Sequence, residues 1–64
     1  MKYVYFISYT YDSQIEKVPV DNAILTVENE VRTAADVEAL EAIIAKNENR
    51  TGVTIITFQV VGRV

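Results

Sequence analysis

The sequence predicts a small α+β domain: β-β-α-β, with three antiparallel strands in the order 2-1-3 and one helix packed across one face. Three observations carry that expectation. A tyrosine-rich run, "KYVYFISYTY", alternates with a period of two residues. The middle of the chain switches to helical spacing, and a second run dense in β-branched residues, "VTIITFQVV", closes it.

The first strand occupies residues 2–11, with Tyr3, Tyr5, Ile7, Tyr9 and Tyr11 on one face and Val4, Phe6, Ser8 and Thr10 on the other. The polar stretch "DSQIEKVPVDN" comes next, and its Pro19, lacking an N–H, belongs in the connection or at the start of an edge strand. "AILTV" (Ala23 to Val27) reads as the second strand. Thr33 suits an N-cap, and Asp36 three residues later completes a capping box with Asp in place of Glu. Val37, Leu40 and Ile44, with Ile43 at the margin, form the apolar stripe of the helix, which Asn47, Asn49 and Gly52 end. Ala35, Ala39 and Ala42 lie on the far side, where alanine serves simply as a good helix former. The third strand runs from Val53 to Val61. A connection of about ten residues between strands one and two favours antiparallel pairing, and the helix supplies a right-handed crossover to strand three. No repeat or low-complexity segment interrupts a single domain, residues 1–64.

One helix covers one face of such a sheet. The expectation is that Val4, Phe6, Ile56, Phe58 and Val60, which carry no polar tip, meet Val37, Leu40 and Ile44. The opposite face then presents Tyr3, Tyr5, Ile7, Tyr9 and Ile55. Tyrosine suits a surface that is apolar in body and wet at its hydroxyl. Three readings of this face stand side by side: a half-exposed sheet surface, a homodimer or higher oligomer joined by faces or by edge strands, and a platform for stacked bases.

Composition narrows the chemistry. A chain of 64 residues, half of them hydrophobic, buries only about 60% of its unfolded surface, and oligomerisation is a common reinforcement. Neither cysteine nor histidine occurs, so disulfides, thiolate metal sites and the usual general base are missing, and no metal or other cofactor is expected. The net charge is −3 without a basic run, which argues against a nucleic-acid polymer as partner. The carboxylates Glu38 and Glu41, and Glu28 and Glu30, read as solvated surface. Asp21-Asn22 reads as turn chemistry, and the two glycines, Gly52 and Gly62, build no phosphate loop. "NRT" at Asn49–Thr51 matches a glycosylation acceptor by chance. With no secretion signal and no stretch of about 20 apolar residues, the chain reads as cytoplasmic and not membrane-bound. It reads as no enzyme.

Lys2, Tyr3, Tyr5, Ser8, Tyr9, Asn22 and Ile55 to Phe58 stand in an order spanning nearly the whole chain. In that order the chain resembles a group of very small proteins encoded by bacteriophages and prophages, the Hachiman anti-defence type being the nearest candidate. Where the group carries a glycine-rich turn before the Asn, this chain has "KVPVD". The resemblance implies a non-enzymatic homo-oligomer that binds and inhibits a defence protein in the cytoplasm of a bacterial host. The alternatives are a sponge for a nucleotide immune signal, in which Tyr3, Tyr5 or Tyr9 stacks a base and Lys2, Arg32 or Arg63 meets phosphate, and a structural or regulatory phage protein.

Overall fold

A computed structural model describes all residues, Met1–Val64. Strand β1 (Tyr3–Thr10) lies at the centre, flanked by β2 (Val20–Val27) and β3 (Thr54–Arg63), and helix α1 (Ala34–Glu48) lies across one face. Both pairings are antiparallel. The α+β class and the 2-1-3 order are therefore as the sequence predicts.

Local chemistry sets the helix ends. Thr33 is extended at φ −127° and its Oγ1 accepts from the Asp36 amide at 3.2 Å. Asp36 Oδ2 accepts in turn from the Thr33 amide at 3.1 Å and from the Arg32 amide at 3.0 Å, so donors left over by the first turn are satisfied. At the other end Asn49 takes a left-handed conformation, φ 54°, which asparagine tolerates better than most residues. The Arg50 amide then donates to the Ala45 carbonyl at 3.0 Å.

The helix covers the tyrosine face, opposite to the face expected. Tyr5, Ile7, Tyr9 and Tyr11 are buried with Leu40 and Ile44, and Tyr3, Ala23, Leu25, Val27, Val31, Val53 and Ile55 pack around them. Ile7 and Tyr9 are completely inaccessible, both 0% exposed. The hydroxyls explain how tyrosine serves here. Tyr5 reaches beyond the helix stripe to the β2–α1 connection, where its hydroxyl accepts from the Val31 amide at 2.8 Å. The Tyr11 hydroxyl reaches the β1–β2 loop and donates to the Glu16 carboxylate. The Arg50 guanidinium lies over the Tyr11 ring at 3.8 Å and binds Asp21 at 3.1 Å. A thin helix with two fully buried side chains needs long partners, and tyrosine supplies length with a tip that the loops can satisfy.

Strand β3 differs from a strict alternation. Its register against β1 slips between Val4 and Tyr5 and again between Ser8 and Tyr9. Each irregularity adds a residue and reverses the side-chain parity of the residues beyond it. Ile55 opposite Tyr9, Phe58 opposite Ile7 and Val60 opposite Tyr5 thus share the helix side, although simple alternation separates Ile55 from the other two. Phe58 meets Tyr5 edge-on with ring centroids 6.0 Å apart, yet both Phe58 and Val60 remain substantially exposed.

Candidate interaction surface

The sheet face turned away from the helix is uncovered. Cross-strand partners point to the same side, so the pairing register defines this face. In β1 it carries Val4, Phe6, Ser8 and Thr10. Their β2 partners are Thr26, Ile24, Asn22 and Val20, and their β3 partners are Gly62, Gln59, Thr57 and Thr54. Four positions on each strand therefore face outward, and none of them is charged. The two charged residues within strands, Asp21 and Arg63, pair with Tyr9 and Tyr3 and so belong to the helix side.

This face is mixed in polarity. Ile24 is 67% exposed and Phe6 37%, side by side in register, with Val20 also exposed. The Ser8 hydroxyl donates to Asn22 Oδ1 at 2.8 Å, a cross-strand bond that leaves the middle of the face internally satisfied. Ile56 and Val61, the residues added at the two irregularities of β3, extend the exposed apolar area.

The residues expected at an interface are placed together but underneath the helix. Tyr5, Ile7 and Tyr9 are core, and Tyr3 and Ile55 pack against that core, so this face is not the free surface of the subunit. Conversely Val4, Phe6 and Ile56, expected beneath the helix, are not covered by it. The sequence holds one sign of this. The even-numbered row of β1 ends in Ser8 and Thr10, hydroxyls that would need partners under a helix, whereas the odd-numbered row keeps large apolar bodies throughout.

Of the residues expected to meet a nucleotide, Arg63 and Arg32 each approach Tyr3. The Arg63 guanidinium sits 5.6 Å from the Tyr3 ring centroid, and Lys2 adjoins through a backbone pair with Val64. Arg32 and Tyr3 line a shared cleft of about 360 Å³ together with Glu28 and Glu30. However, Arg32 is bound to Glu30 at 2.9 Å, and that bond raises the Arg32 pKa further. Burial of Tyr5 and Tyr9 removes two of the three rings offered for stacking, and two carboxylates flank the third.

Asp36 is held below the usual carboxylate range, first by the Arg32 amide and then by the Thr33 amide and side chain. Burial raises the Tyr9 pKa, opposed by the nearby Arg50 charge. The hydrogen bond to Glu16 raises that of Tyr11. No cluster of three or more acidic side chains is arranged to hold a metal ion, and no helix is long and apolar enough to cross a membrane.

Fold and surface define a class: a small sheet-and-helix domain with one uncharged, partly apolar face open to solvent. No protein-family model matches the chain, and no curated protein or solved structure matches it.

Proposed function

We propose that the chain is a non-enzymatic interaction protein that acts as a homo-oligomer and presents its uncharged outer face to a bacterial host protein, which it inhibits. One observation carries this reading: the outward positions of all three strands lack charge, in a chain of which 23% of residues are charged. An open antiparallel sheet that faces only water has no reason to exclude Lys and Glu. Depletion of charge around aromatic and aliphatic anchors is the compositional signal of an interface core. Phe6 and Ile24 are the anchors here. The resemblance to small phage and prophage proteins supplies the target class, a defence protein in the host cytoplasm.

The test is phage growth on bacteria that carry a defence system of the Hachiman type. Native chain restores plaques, whereas Phe6→Glu and Ile24→Glu, both at exposed positions, keep their circular dichroism and lose the effect. Antagonism undiminished in both variants, or absent in the native chain, refutes the reading.

A further inference from the structure

The two edges of the sheet are not equally open. Odd-numbered residues of β1 direct their backbone groups toward β2, as the Tyr11 amide does in donating to the Pro19 carbonyl at 3.1 Å. Even-numbered residues turn toward β3, as the Val64 amide bonded to the Lys2 carbonyl at 2.9 Å indicates. In β2, therefore, Val20, Asn22, Ile24 and Thr26 direct their N–H and C=O groups to the free edge. The first two amides are occupied: Val20 donates to the Val18 carbonyl at 2.8 Å, and Asn22 donates to Asp21 Oδ1 at 2.8 Å. Ile24 and Thr26 have no such partner. On the opposite edge the Ile55 amide is capped by Glu41 Oε2 at 2.9 Å, and two irregularities bend β3. Bulges and inward-reaching charges are how sheets blunt an edge. The outward amides of Phe58 and Val60 lie between the two irregularities of β3, whereas the second half of β2 is straight and unblunted.

We propose that two copies of the chain join through this edge, antiparallel, about a two-fold axis that passes by Leu25 perpendicular to the sheet. The proposal builds on the self-association in the preceding reading and names its contact. In this register Ile24 stands opposite Thr26 of the second copy, and the N–H and C=O of both residues, twice over by symmetry, are all used. Centring on Thr26 would set Ile24 against Glu28, beyond the end of β2. Centring on Ile24 instead would set the Asn22 amide, already bonded to Asp21, against Thr26. Charge complementarity also holds. Ala23–Val27 carries no charge, Asp21 meets Asn29 of the other copy, and Glu28 meets Asn22, so no like charges are opposed.

Packing agrees. At the β2 edge lies a cleft of about 450 Å³, lined by Ala23, Leu25 and Ile44 on the helix side and by Phe6, Asn22 and Ile24 on the outer side. Val27 of the second copy falls opposite Ala23, whose short side chain leaves that cleft open. A perpendicular axis keeps both helices on one side and both uncharged faces on the other. The product is one six-stranded sheet with a doubled outer face. A dimer built face to face would instead consume the surface the host protein is to occupy.

The chain contains no cysteine, so single-cysteine variants report the register directly. Leu25 lies opposite its own copy in a non-hydrogen-bonded pair, where Cα atoms sit about 4.5 Å apart and a disulfide can form. Mild oxidation is expected to link Leu25→Cys into a covalent dimer and to leave Ala23→Cys single. Light scattering of the native chain between about 10 µM and 1 mM is expected to show a dimer, with an affinity at the weak end set by a small edge interface. Thr26→Pro removes an outward N–H that the subunit's own ladder does not use, which edge strands tolerate. It should weaken dimerisation at least tenfold, roughly the effect of the two donors lost per dimer. Should that variant lose its circular dichroism, the native sequence N-methylated at Thr26 replaces it in the same measurement. A single-chain mass at 1 mM, preferential linkage through Ala23→Cys, or an undiminished dimer in the N-methylated chain overturns the proposal. So does finding that β2 pairs with an extended segment of another protein and never with its own copy. The dimer mass and the disulfide are read on the purified chain without any host protein, so the two readings fail separately.

Discussion

Two tyrosines of β1 differ in one atom's surroundings, and removing that atom should change stability in opposite directions. Tyr9 is fully buried and its hydroxyl has no hydrogen-bond partner. An unsatisfied buried hydroxyl costs about 1–3 kcal/mol of lost hydration. Tyr9→Phe deletes that group and keeps the ring against Ile7, Leu40 and Ile44, so stability should rise by about 1 kcal/mol. Tyr5 is nearly as buried, but its hydroxyl accepts from the Val31 amide. Tyr5→Phe strands that amide and should cost about 1–2 kcal/mol. A 64-residue domain has an unfolding entropy near ~0.13 kcal/mol/K, so each kcal/mol shifts the midpoint by roughly 7 °C. The expected midpoints are therefore roughly 7 °C above native for Tyr9→Phe and about 7–14 °C below for Tyr5→Phe. Thermal melts followed at the tyrosine and backbone dichroism bands, at two protein concentrations, measure both. If Tyr9→Phe is the more destabilised of the two, the Tyr9 hydroxyl is satisfied and the account of this core is wrong.

Ile7→Ala, at a position with no exposure, should cost about 2–5 kcal/mol in urea unfolding, whereas Phe6→Ala on the open face should cost much less. Thr33→Ala removes the N-cap and should cost about 1 kcal/mol in the same experiment. Asp36 has a folded pKa below its unfolded value, so its contribution is complete above the unfolded value near ~4 and fades as pH falls through the lower folded one. Asp36→Asn should flatten the pH dependence of stability in that acid window, and an unchanged acid limb in the variant would refute it. Gly52→Ala should destabilise by at least about 1 kcal/mol, because φ is +64° and the added Cβ displaces the Asp12 carboxylate. Asn49→Gly, at another left-handed position without that conflict, should be neutral or slightly stabilising by the same assay.

The element order, the strand order and the helix cap are legible in the sequence because each rests on local chemistry: alternation in β1, Thr33 with Asp36, and connection lengths. The sidedness of the sheet is legible only in Ser8 and Thr10, whose hydroxyls make the even-numbered row of β1 the less suited to a helix cover. Val4 and Phe6 are as apolar as Tyr5 and Ile7, so hydrophobicity alone does not choose between the rows. The choice is made by two hydrogen-bond partners outside the strand, the Val31 amide and the Glu16 carboxylate, which turn Tyr5 and Tyr11 into acceptable core residues. Strand β3 departs from its expected faces for a different reason. Its two irregularities reverse side-chain parity, and no residue type in "TIITFQVV" marks where an extra residue is inserted. Arg63 and Arg32 each approach Tyr3, whereas Lys2 is held there only through its backbone bonds to Val64. The pairing that engages Arg32 with Glu30 depends on how the β2–α1 connection turns, which residue spacing does not display.

The same arrangement that makes the core work leaves the outer face without a cover. A helix of 15 residues, seated on Tyr5, Ile7 and Tyr9 of β1 and on Tyr11 just beyond it, buries Leu40 and Ile44 on one side of the sheet. The accessible surface is 4616 Å², against about 4,100 Å² for a compact monomer of 7.2 kDa. That surplus of roughly 500 Å² is smaller than the ~800 Å² per partner of a standard interface. It corresponds to a subunit that leaves Phe6, Ile24 and Val20 exposed. Burying charge at such a surface would cost several kcal/mol per ion, and the strands have placed none there. A sheet shaped only by contact with water would gain solubility from a lysine at Ile24, an edge position where such charges protect against pairing. Its absence at that position is what selection for a bound partner predicts and selection for a free monomer does not.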